Sequence, residues 1–122
     1  MIVYTIQIAK HRLLEGKGIE FVDTTVKSGK DSIFKPSWEI VLGHKSKELT
    51  DAQYTERYIG LMRDSYRNRF EEWLSFLNKD KVAIACYCKA GCFCHRLLLI
   101  DILTKVAIKH GIEFQYLGEL VE

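Results

Sequence analysis

The stretch CYCKAGCFCHR, residues 86 to 96, holds all four cysteines of the chain and closes on a histidine and an arginine. Thiols, an imidazole and a guanidinium gathered this tightly offer three chemistries: metal ligation, a reactive thiolate, or capture of an anion. Zinc sites usually draw their cysteines in pairs two to four residues apart from two separate knuckles. Here Cys86 pairs with Cys88 and Cys92 with Cys94, with one residue between each, so the spacing disfavours zinc and no metal is expected. A thiolate fits better, because a cysteine near a helix N-terminus and beside Lys89, His95 and Arg96 has its anion stabilised. Cys94 is the best placed, with Cys88 or Cys92 as a resolving partner for redox chemistry. The anion reading uses the same residues. A strand passes through Gly91 into a helix that opens on His95 and Arg96, so free backbone N–H groups, the positive helix end and a guanidinium converge as around a phosphate. Plain packing competes with all three, with Cys86 as a small hydrophobe and Arg96 as a solvated cation.

These side chains need a scaffold, and the hydrophobic pattern supplies one. IVYTIQI at residues 2 to 8 reads as a strand, AKHRLLEGKG as a short helix or loop, and IEFVDTT as a second strand ending in Asp23, Thr24 and Thr25. Residues 26 to 48 carry the sole proline and five lysines, and read as a long functional loop with at most a helical turn at SWEIVL. Thr50 and Gln53 have capping-box spacing, and the apolar positions after them predict helix to about Asn78, broken between Asp64 and Asn68. Tyr58 and Trp73 belong to its buried face. KVAIACYC, apolar on both faces, predicts a central parallel strand; CHRLLLIDILTKVAIKHG is a helix, and IEFQYLG a closing strand. The alternation predicts a single α/β domain over residues 1–122: a Rossmann-like, open, mostly parallel four-stranded sheet with helices on both faces.

In such sheets ligands collect beyond the carboxyl ends of the strands. Strand one delivers Gln7 and His11 to that edge, strand two Asp23, Thr24 and Thr25, and strand three the cysteine loop. Asp23, Cys94 and His95 are the catalytic candidates. Ligand-binding candidates are Gln7, His11, Thr24 and Thr25 from the first two strands, then Lys27, Ser28, Lys35 and Trp38 from the following segment. Cys88, Lys89, Gly91 and Arg96 complete the set. Aromatic side chains among cations, including Phe34 and Trp38, suit a stacked base and its phosphate.

A net charge of +2 is too small for a nucleic-acid coat, so nucleic acid is the weaker partner and a nucleotide-like small molecule the stronger. No run approaches the ~18 apolar residues of a membrane span, and MIVYTIQIAKH lacks a signal-peptide layout. The expectation is a cytoplasmic protein with reduced cysteines, no membrane partner and no cofactor.

The YTI of VYTIQIAKH, the aspartate of FVDTTVKSG and a strand-end cysteine followed eight positions later by Cys-His-Arg resemble the domain-of-unknown-function family numbered 488, found in bacteria and phages. The resemblance implies a Rossmann-like fold and a shared site of Asp23, Cys86, Cys94, His95 and Arg96, without an activity. Many members follow the first cysteine with a small residue and a glutamate, where this chain has Tyr87 and Cys88. Members also often read Asp-Val-Arg where it has Asp23, Thr24 and Thr25. Lys27 or Lys35 would then replace the missing arginine. The leading expectation is therefore binding of a phosphate-bearing, nucleotide-like molecule at the carboxyl edge. The alternatives are an enzyme acting there on a nucleotide or nucleic-acid glycosidic or phosphate bond, or thiol chemistry at Cys94.

Overall fold

The computed structural model describes residues 1–88 and 92–121. Four strands, β1 (Ile2–Gln7), β2 (Glu20–Asp23), β3 (Lys81–Cys86) and β4 (Gln115–Leu120), form one parallel sheet in the order β2-β3-β1-β4. The helices are α1 (Trp38–Lys45), α2 (Asp51–Asn68), α3 (Phe70–Leu77) and α4 (His95–Lys109), with a 3-10 helix at Ile8–Leu14. This is the Rossmann-like α/β architecture that the pattern predicts. None of the helices is long and apolar enough to cross a membrane among the described residues.

The strand order decides which face each connection covers. The chain moves one way along the sheet from β1 to β2 and the other way from β2 through β3 to β4. Crossovers between parallel strands are right-handed, so the first connection must lie on the opposite face from the later ones. Leu14 of the 3-10 helix accordingly packs on Ile6, Ala83 and Ala85. The other face, through Val3, Val82 and Ile84, meets Ile40, Tyr58, Trp73, Leu99 and Leu103 from the α-helices. Both faces are thus covered, unequally: small alanines suffice beneath one short turn, while branched residues meet four helices.

Local signals explain most boundaries. Thr50 and Gln53 close a reciprocal capping box at the start of α2. The break before α3 falls at Arg69, whose backbone leaves helical geometry. Tyr58 and Trp73 are fully buried, as their helical spacing implies.

The segment over residues 26 to 48 is more ordered than a functional loop. Ser37 caps α1 by accepting from the Ile40 N–H, and the helix buries Ile40 alone, which is why no apolar period announced it. Phe34 is not presented to a ligand: it is 1% exposed and packs edge-on against Trp73 and Phe76. The Phe34 carbonyl accepts from the Tyr58 hydroxyl at 2.7 Å, and the Ile33 carbonyl from Ser65 Oγ at 2.6 Å. Ser65 Oγ also accepts from Trp73 Nε1 at 3.0 Å, so one hydroxyl joins the segment to two helices.

Ser65→Ala should strand two buried polar groups and lower unfolding free energy in urea titrations by about 1–3 kcal/mol. Leu42→Ala, at a side chain 55% exposed, should change it by less than about 0.5 kcal/mol.

Candidate functional site

The connections after β1 and β3 leave the sheet toward opposite faces, which opens a crevice between two neighbouring strand ends. Gln7 and Cys86, the last residues of those strands, are register partners. Such a reversal point is where open α/β sheets hold ligands. Gln7 spans it by donating from Nε2 to the Tyr87 carbonyl at 3.4 Å.

At the end of β2, Asp23 organises the turn that follows. Its Oδ1 accepts from the Thr25 N–H at 2.9 Å and the Thr25 hydroxyl at 2.7 Å, and its Oδ2 accepts from the Ser28 hydroxyl. Ser28 Oγ in turn meets the Tyr87 hydroxyl at 2.8 Å. The turn is so tight that a Cβ on Gly29 would lie 2.6 Å from the Asp23 carbonyl oxygen. Both carboxylate oxygens therefore work for the turn, and Asp23 lies outside the cleft described below. Asp23, a catalytic candidate from sequence, is thus placed in the turn rather than on the cleft lining.

Thr24 is fully buried and ties three elements together. Its hydroxyl donates to the Ala85 carbonyl of β3 at 2.9 Å. His95 Nε2 lies 2.9 Å from Thr24 Oγ1 and 3.0 Å from the Thr24 carbonyl. With the hydroxyl proton already committed to Ala85, both Thr24 oxygens act as acceptors, so Nε2 carries the imidazole proton and Nδ1 bears the lone pair. Cys94 Sγ faces that lone pair at 3.8 Å. Burial is the main cause that lowers the His95 pKa to about 4, with Arg96 adding to it; the Thr24 carbonyl and Asp23 oppose the shift. At neutral pH the imidazole is therefore neutral, and its free nitrogen faces the Cys94 sulfur as a base faces a nucleophile.

Arg96 departs from the phosphate-facing role that the sequence suggests. It is 1% exposed, and Glu119 of β4 takes it in a fork, with Nε to Oε1 at 3.1 Å and Nη2 to Oε2 at 3.0 Å. Nη1 donates to Cys86 Sγ at 2.7 Å. The guanidinium is fully engaged behind the site wall, where it fastens α4 to β3 and β4.

In front of that wall lies a cleft of about 150 Å3. Cys86, Cys88, Cys94 and His95 line its inner part, and Trp38, Tyr54, Tyr87 and Phe93 supply aromatic walls. Thr25, His44, Lys27 and Lys45 also border it. Lys27 Nζ sits 5.8 Å from the centre of the Tyr87 ring, and neither lysine has an ion-pair partner among the described residues. Burial raises the Tyr54 pKa well above the phenol range, with Cys88 contributing, so its hydroxyl stays neutral. Burial likewise raises the Cys88 thiol, against the opposing pull of Arg96 and Lys45. The sulfurs of Cys86 and Cys94 touch, although their Cα atoms stand 7.9 Å apart.

Of the candidates from sequence, the cleft gathers Thr25, Lys27, Trp38, Cys88, Cys94 and His95. Gln7, Asp23, Thr24, Ser28 and Arg96 shape its frame instead. His11 is exposed on the 3-10 helix and bonded to its own Ile8 carbonyl, because the chain turns onto the opposite face directly after β1. Lys35 donates to the Lys30 carbonyl within its own turn and does not reach the cleft. Lys89 and Gly91 lie outside the described residues. Sequence reasoning missed Glu119, which carries no local signal, and also His44 and Lys45. The last two became legible only with α1, whose final turn they occupy.

A family model described as "Active DUF488-N3 subclade" matches residues 30–107, a span that includes the cleft's cysteine motif but not β1 or Asp23. No curated protein and no solved structure matches the chain.

Glu119→Gln should leave the buried Arg96 charge poorly compensated and lower stability by about 3 kcal/mol in urea unfolding. Glu39→Gln, which breaks the exposed pair with Arg57, should cost less than about 1 kcal/mol.

Proposed function

The chain belongs to the DUF488 family, in the branch described as its active N3 subclade, and from that premise we propose that it binds a phosphate-bearing, nucleotide-like small molecule in the aromatic cleft. The observation that carries this reading is the pairing of aromatic walls with two cations, Lys27 and Lys45, that have no ion-pair partner among the described residues, around one small concavity. A heterocycle stacks on aromatic faces whatever its sequence of ring atoms, and an alkylammonium group binds phosphate as a point charge. The base packs against Trp38, which is half exposed and so available to a ligand. The phosphate meets Lys27 and Lys45 rather than Arg96, whose donors are spent on Glu119 and Cys86. Polar ends of the molecule find Thr25 and the Cys94–His95 pair at the inner end.

A second reading, an enzyme acting on the same ligand's glycosidic or phosphate bond, draws on one observation. His95 Nδ1 is unprotonated and turned toward Cys94. In that case Cys94 and His95 act at the reacting atom while Asp23 positions the turn. Formation of product that disappears with Cys94→Ser would favour it over binding alone.

Titration with a nucleoside monophosphate and its nucleoside, followed by tryptophan fluorescence and calorimetry, tests the binding reading. Trp38→Ala should weaken both ligands by about 1–3 kcal/mol. Lys45→Ala should weaken the nucleotide about tenfold and leave the nucleoside unchanged. Absence of heat and of fluorescence change with every nucleotide tried would sink it.

A further inference from the structure

We propose that Cys86, Cys88 and Cys94 form a zinc centre at the inner end of the cleft, with a fourth coordination position open to the cleft. Their three sulfur atoms lie within 4.8 Å of one another. All three cysteines line the cleft, so a metal held among them faces its interior. The ligands come from the end of β3, the residues just after it and the position before α4, and the sheet edge brings them together. That is why the two-knuckle spacing rule, which speaks against zinc here, does not apply: a strand end and a helix start brought side by side do the work of two knuckles.

Two features favour a metal over a disulfide. The Cα atoms of Cys86 and Cys94 are 7.9 Å apart, wider than the usual disulfide span of about 4.4 to 6.8 Å. Metal–sulfur bonds of about 2.3 Å on either side of an ion bridge that wider gap. In addition, Arg96 Nη1 donates to Cys86 Sγ at 2.7 Å, the outer hydrogen bond that ligating groups characteristically receive. Glu119 fixes that guanidinium in place.

Charge selects among soft metals. Thiolates suit zinc and cuprous ion alike. Three thiolates leave one net negative charge with Zn2+ and two with Cu+, and the surrounding walls are largely aromatic. Arg96 is already half spent on Glu119, so the smaller residual charge is the better matched. On binding, each thiol passes its proton to solvent and its sulfur lone pair to the metal, with no change of oxidation state. Cys92 is exposed and outside the sulfur cluster. His95 directs Nε2 to Thr24 and Nδ1 to Cys94, so it does not fill the fourth position. Three protein ligands with one open position is the arrangement of zinc sites that do chemistry rather than hold a fold.

The centre rests on the sulfur geometry and not on the nucleotide reading, and its test uses no nucleotide. The full chain, tag-free and reduced, is stripped of metal and titrated with Zn2+ against a chelating dye. One zinc per chain is expected, with affinity falling at least about tenfold to a hundredfold for each of Cys86→Ser, Cys88→Ser and Cys94→Ser, and unchanged for Cys92→Ser. Because Cys86→Ser risks folding, the unsubstituted protein is also loaded with Co2+, and should give thiolate-to-cobalt charge transfer together with tetrahedral ligand-field bands. Failure to hold zinc with all thiols reduced, binding that survives Cys88→Ser, dependence on Cys92, or octahedral cobalt without charge transfer would each overturn the proposal.

Discussion

The buried guanidinium of Arg96 is the constraint on which the carboxyl edge of the sheet depends. It projects from the first turn of α4, takes both carboxylate oxygens of Glu119 from β4 and reaches Cys86 at the end of β3. A charge this deeply buried is tolerable only when paired and hydrogen-bonded, and here each of the three guanidinium nitrogens, Nε, Nη1 and Nη2, finds an acceptor. The pairing fixes where α4 begins, and with it the positions of Cys94 and His95. Thr24 completes the frame from the other side, since its hydroxyl holds Ala85 and its two oxygens hold His95. Between them the two fastenings hold the positions of Cys94 and His95 at the inner end of the cleft.

Because Arg96 is held in the frame, the cations that border the cleft are others. Lys27 lies within the turn that Asp23 organises and Lys45 ends α1, so they reach the cleft from two separate elements. The Asp23 turn governs the first of these. Asp23, Thr25, Ser28 and the Tyr87 hydroxyl form one chain of hydrogen bonds, and Lys27 lies against the Tyr87 ring. Asp23 thus connects to the cleft wall only through this chain of hydrogen bonds.

The parts of this arrangement that sequence revealed are those with local causes. Strand alternation, the Thr50 capping box and the helical spacing of Tyr58 and Trp73 each depend on neighbours within a turn or two. The carboxyl-edge location followed from topology, and the structure places Thr25, Cys88, Cys94 and His95 around one cleft there. What stayed hidden has non-local causes. Arg96 finds Glu119 across 23 positions, and nothing near either residue advertises the pair. His11 was assigned to the wrong place because the direction in which the chain leaves β1 depends on the strand order. α1 shows in the sequence only as a helical turn at SWEIVL, because an eight-residue helix burying one apolar side chain has no period to read. The cysteine spacing also says nothing of the sulfur cluster, because spacing counts along the chain whereas Cys86, Cys88 and Cys94 converge through the fold.

A crystal structure of the protein grown with a nucleoside monophosphate tests the central claim most directly. The account predicts density for the ligand in the aromatic cleft, its ring against Trp38 and its phosphate near Lys27 and Lys45, with Arg96 still paired to Glu119. Density instead in the polar groove bordered by Asp31, Arg69 and Lys79, or a phosphate that draws Arg96 away from Glu119, would contradict it.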